Sequence, residues 1–163
     1  FKFSKVEGIG QVSNPIDVIL FTEEYKDHSK EDRDPDNLRR SADKLWNTNR
    51  EQSAKLYVKL ARWYREERRF IDAADCFEIS AIVPDPEEGE DPLFRLPKKS
   101  ERYRGAAECY KLAGSEGLYC KNMGEVHILD QDYNKAAKSL IDYADICYKS
   151  KDKQIRNEKT IEA

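Results

Sequence analysis

Glycine and proline are scarce in this chain of 163 residues, at 7 and 6 respectively, which excludes a loop-rich, collagenous or low-complexity polypeptide. Long apolar runs are missing, and none approaches the roughly 18 residues that a membrane-crossing helix needs. Cysteine is sparse: Cys76, Cys109, Cys120 and Cys147 are the only four, with no CxxC pair among them. A zinc site built on two closely spaced ligand pairs is therefore disfavoured, and free thiols packed as small hydrophobes in a reducing compartment are expected. No excess of either charge is present, since 29 Lys and Arg stand against 32 Asp and Glu for a net −3. With a sequence pI near 5.6, the chain exerts no global pull on phosphate backbones or anionic lipid. A nucleophile elbow, a phosphate-cradling glycine loop and an HExxH motif are all lacking, and Gly8-x-Gly10 has no third glycine. The first residues, Phe1-Lys2-Phe3, offer no Met and no leader. The chain reads as a piece of a longer intracellular polypeptide, cytoplasmic or nuclear.

Charged residues make up 37% of the chain and hydrophobic ones 39%, a balance that confines apolar side chains to narrow stripes and favours amphipathic helices. Three segments are alike: Phe70-Ile71-Asp72-Ala73-Ala74-Asp75-Cys76-Phe77, Tyr103-Arg104-Gly105-Ala106-Ala107-Glu108-Cys109-Tyr110 and Tyr133-Asn134-Lys135-Ala136-Ala137-Lys138-Ser139-Leu140. Their offsets of 33 and 30 residues fall in the range of stacked helix pairs. An alanine pair followed by a large residue places a flat spot and a knob on one helical face, so a neighbouring helix can approach closely. Ahead of the first copy, Tyr57, Leu60, Ala61 and Tyr64 form one apolar stripe at i, i+3, i+4 and i+7.

These residues resemble the tetratricopeptide repeat, whose first helix carries a large residue, Leu, a small residue and Tyr, and whose second carries Ala, a large aromatic, a small residue and a late Pro. Tyr57, Leu60, Ala61, Tyr64, Ala73, Phe77, Ser80 or Ala81, and Pro84 match nearly a whole repeat. Cys120, Met123, Gly124 and His127, paired with Ala136, Leu140 and Tyr143, make a looser copy with His127 where Tyr is usual. The middle copy, Ser100 to Gly114, has only the second helix. The resemblance implies an all-α fold of antiparallel helix pairs stacked as a short right-handed solenoid. A weaker similarity, in the Ala-Ala-x-Cys-aromatic helices, is to soluble NSF attachment proteins.

Seven helices are expected, at about 15–27, 36–48, 51–67, 70–82, 98–113, 116–130 and 133–149, with a strand as the alternative for Ile16 to Phe21. The domain reading is an N-terminal helical cap at 1–50, a helix pair at 51–83, an acidic Pro-rich loop at 84–97, a second repeat segment at 98–150, and a frayed tail or the start of a further helix at 151–163. Residues 84–97 hold four of the six prolines and five carboxylates, so the missing partner helix is replaced by loop. That loop is either a solvated acidic linker or a segment whose Leu93, Phe94 and Leu96 tuck into the vacated groove.

The adjacent acid pairs Glu23-Glu24, Glu66-Glu67 and Glu87-Glu88 point about 100° apart on a helix and suit solvated faces better than acid/base work. His28 is expected at the surface and His127 in the core. No catalytic residue, cofactor or metal ligand is assigned. The run Arg62, Arg65, Arg68 and Arg69 around Trp63 and Tyr64 leaves a local nucleic-acid contact open, although Glu66 and Glu67 halve its charge. By resemblance, a partner-binding groove would be lined by Lys55, Val58, Arg62, Arg65, Lys121, Glu125 and Ile128. Val58 and Arg62 stand where some family members carry the Lys and Asn that clamp a C-terminal carboxylate. The expected function is a non-catalytic protein-interaction module that binds an acidic or amphipathic peptide or helix. Two alternatives are a helical accessory domain of an ATP-driven nucleic-acid enzyme such as a helicase, and a vesicle-trafficking adaptor.

Overall fold

The computed structural model describes residues 34–87, 91 and 95–162, without the side chains of 155 and 157–162. The chain divides into two compact units, residues 1–38 and 39–163. Of the first unit only residues 34–38 are described, so the expected element at 15–27 lies outside the described residues. Six helices and no strand are found among the described residues: α1 (Pro35–Leu45), α2 (Arg50–Glu66), α3 (Phe70–Ser80), α4 (Lys99–Leu112), α5 (Glu116–Leu129) and α6 (Tyr133–Glu162). Among the described residues the fold is all-α, as the narrow apolar stripes favour.

Helix starts follow the side chains at their N-termini. Asp34 Oδ1 accepts from the Asp36 amide at 3.0 Å with Pro35 at the first helical position, and Asn49 accepts from the Gln52 amide at 3.1 Å to open α2. From α2 onward each helix packs on the next in sequence. The turns α2–α3, α4–α5 and α5–α6 share one geometry. Arg68, Gly114 and Gln131 take φ of 60°, 81° and 63°, and the amides of Arg69, Ser115 and Asp132 reach back to the carbonyls of Tyr64, Tyr110 and His127 at 2.8–2.9 Å. This is the Schellman arrangement, in which a left-handed residue lets the chain reverse while satisfying the last carbonyls of the helix.

The alanine pairs act as expected from their spacing. Ala73, Ala74, Ala106 and Ala107 are fully buried, because α3 and α4 are each flanked by two helices. In α6 Ala136 is buried and Ala137 exposed, since α5 covers one side only. At the α5–α6 seam, a Cβ built on Gly124 would fall 2.7 Å from Leu140 Cδ2. The small residue expected at this position is thus required by close approach.

Two features depart from the sequence reading. First, α6 does not end near 149 but continues to Glu162. Its apolar periodicity fades there, yet no Gly or Pro interrupts it, and Asp145–Lys149 and Asp152–Arg156 pair at i,i+4 with 3.0 and 2.9 Å separations. Second, the Pro-rich stretch matches neither of its two readings alone: Pro84, Asp85, Glu87 and Asp91 are exposed, as in a solvated linker, while Leu96 is buried, as in the tucked alternative. Val83 and Leu96 are buried, and the side chain of Arg102, with 0% exposure, fastens both ends. Arg102 Nε donates to the Pro97 carbonyl at 2.8 Å, and Nη1 donates to the carbonyls of Val83, at 2.9 Å, and Ser80. Asp85 lies 3.5 Å from Nη2 and also accepts from the Lys99 amide at the start of α4. Leu93 and Phe94 lie outside the described residues.

Candidate functional site: a basic recess between α2 and α4

α2 and α4 are not consecutive, yet residues of both, with Phe77 of α3 and Pro97, line an open recess of about 180 Å³: Arg62, Arg65, Glu101, Arg102, Arg104, Gly105 and Glu108. Its floor exists because Gly105 has no side chain: a Cβ there would lie 3.0–3.1 Å from three atoms of the Phe77 ring. The Arg65 guanidinium stands 5.9 Å from the centre of the same ring, within cation–π range. Arg104 is 3.6 Å from Asp130. Burial pulls the Arg102 pKa below the usual arginine value, while Asp85 opposes that shift.

The residues expected to line a groove do not form one surface. Arg62 and Arg65 are exposed and meet in the recess. Val58, by contrast, is only 3% exposed and belongs to the core. It is one turn from Ala54 and Ala61, both fully buried, so the face assigned to partner contact is the packing face at this position. Lys55 is half-buried and pairs with Glu51 at 3.4 Å. Lys121, Glu125 and Ile128 sit on α5, none of them fully buried, and line no part of the recess.

The α4 contribution to the recess is absent from the sequence reading because groove positions are drawn from first-type helices, and the middle copy has only the second. A signal was present: the residue before the alanine pair is Gly105, where the other copies have Asp72 and Lys135. Glycine beside two alanines marks a close approach, here of the Phe77 ring.

Other polar groups are occupied within the fold. Glu78 accepts from the Tyr110 hydroxyl at 2.7 Å and from Asn122 Nδ2 at 2.9 Å, joining α3, α4 and α5 through one carboxylate. Arg39 donates to Cys76 Sγ at 3.2 Å, and Tyr57 donates to Asp43. Arg69 pairs with Asp72 at 2.9 Å and lies over the Tyr64 ring, so the basic run Arg62 to Arg69 splits between the recess and a turn. Among the described residues no cluster of three or more His, Cys, Asp or Glu side chains could hold a metal ion, and no helix is long and apolar enough to cross a membrane.

Comparison with family models, curated proteins and solved structures finds no match to this chain.

Proposed function

We propose that this chain is a non-catalytic protein-interaction module built on tetratricopeptide-like helix pairs, working inside the cell by holding a segment of a partner protein. The observation that carries the reading is the charged recess between two non-consecutive helices, α2 and α4, with an aromatic floor. Stacked helix pairs produce such surfaces because alternate helices come to lie side by side along one face. The shared turn geometry at residues 67–69, 113–115 and 130–132 and the buried alanine pairs of α3 and α4 support the repeat reading.

The test is retention of a protein by the immobilised chain from nuclease-treated extract, alongside titration of single-stranded oligonucleotide at several salt concentrations. Stoichiometric retention of a defined protein, unaffected by nuclease, is expected. Retention no greater than on an unrelated helical protein would overturn the proposal, as would oligonucleotide binding with the steep log–log salt slope of phosphate contacts.

A further inference from the structure

The recess carries positive charge that the fold itself does not use. Of its four arginines, Arg102 is taken up by three carbonyls and Asp85, and Arg104 is matched by Asp130. Arg62 and Arg65 form no ion pair among the described residues. They lie one turn apart on α2, so their head groups share one face. Arg102 Nη2 makes no hydrogen bond but lies 3.5 Å from Asp85, so its charge is matched and Arg62 and Arg65 are left as the guanidinium groups open to a ligand.

The lining also discriminates between anions. Glu101 and Glu108 stand among the same residues and match Arg62 and Arg65 in number, so the lining has no net positive surplus with which to prefer a doubly charged phosphate over a single carboxylate. A nucleobase would need a free aromatic face, but the one ring in the lining, Phe77, has Gly105 against it and the Arg65 guanidinium over it. A planar carboxylate, in contrast, suits two guanidinium groups, which offer paired N–H donors in a fixed fork. A volume of about 180 Å³ holds one such side chain and not a folded element.

We infer that the recess receives a single Asp or Glu side chain from an acidic segment of a partner protein, held between Arg62 and Arg65 over Phe77. This rests on the interaction-module reading above and narrows it, for it leaves out Lys121, Glu125 and Ile128 of α5.

The experiment is fluorescence anisotropy on the full chain with a labelled peptide of alternating Glu and Leu, its Gln-for-Glu counterpart, and inorganic phosphate and single-stranded oligonucleotide as competitors. The Glu peptide is expected to bind, and Arg62→Gln with Arg65→Gln should weaken it by about tenfold or more. Lys121→Gln should change it by less than about twofold, since a lone exposed charge contributes little. Both arginines are exposed, so the variants should keep the wild-type helical circular dichroism and thermal midpoint. Equal binding of the Gln peptide, wild-type affinity in a folded double variant, or displacement by phosphate or oligonucleotide more readily than by unlabelled Glu peptide would overturn the inference. A partner retained equally by wild type and the double variant would sink the recess assignment and leave the module reading standing; an absence of any retained partner would sink the module reading itself.

Discussion

At the scale of single residues, Arg102 shows how a charge survives inside a helical fold. Its guanidinium serves the carbonyls of Ser80, Val83 and Pro97 at once, so it answers backbone groups that the break between α3 and α4 would otherwise leave unmet. Arg102→Ala should cost about 3–5 kcal/mol, because it leaves several buried acceptors without donors. Arg102→Lys should recover only part of this, since an ammonium lacks the fork that reaches both ends of the loop. Urea unfolding midpoints check both, and a loss no larger than that of an exposed Lys151→Ala control would contradict the account. Burial likewise governs Cys76, whose thiol is pushed up to about 11 despite the neighbouring Arg39. The folded state then keeps the proton longer than the unfolded chain. The stability this gives is fully present below the unfolded thiol value, near about 8.5, and is lost as pH rises towards 11. Tyr57 and Tyr110 are raised by burial and by Asp43 and Glu78 respectively, and act with the same sign. The thermal midpoint should hold steady between about pH 7 and 8 and fall beyond about 9, while at pH 8 the exposed Cys147 alone should react quickly with a thiol reagent.

At the scale of elements, the apolar period and the start signals located the helices, and the turns between them were legible less evenly. Gly114 announces a left-handed residue. Arg68 and Gln131 do the same work without announcing it, because nothing in a charged or amide side chain marks a positive φ. Gln131→Gly should therefore stabilise by up to about 1 kcal/mol and Gly114→Ala destabilise by a similar amount, since an L side chain pays for that conformation and glycine does not. Opposite shifts in thermal midpoint are the readout; shifts of the same sign would show that the turns are not equivalent. The end of α6 was misjudged for a related reason. Loss of apolar period at 149 says that packing stops, but helix continues while i,i+4 charge pairs and the absence of breakers favour it.

At the scale of the whole described molecule, the repeat made helix-on-helix packing readable, whereas the candidate site was readable only in part. Arg62 and Arg65, expected by resemblance to line a groove, both line the recess, but the opposite wall depends on which way α4 faces. One-dimensional spacing does not settle that when the partner helix is replaced by loop. Val58 failed as a groove residue because a stripe bordering the apolar face turns inward with a small rotation of the helix. The open side of α6 carries Ile141 at 66% and Tyr148 at 71% exposure. Ile141→Gln and Tyr148→Gln should each leave the unfolding midpoint within about 0.5 kcal/mol of wild type, as substitutions away from packed contacts do. A larger loss would mean that this face is covered in solution.

Because every helix from α2 to α6 rests on its immediate neighbour in sequence, little chain entropy has to be spent before a contact forms. Refolding should accordingly be fast, in the microsecond-to-millisecond range of low-contact-order helical proteins. Unfolding need not be all-or-none either. Where stability is a sum of neighbour terms, amide exchange should begin in the last turns of α6, where the apolar periodicity has faded, and reach the Arg102-fastened junction of α3 and α4 last.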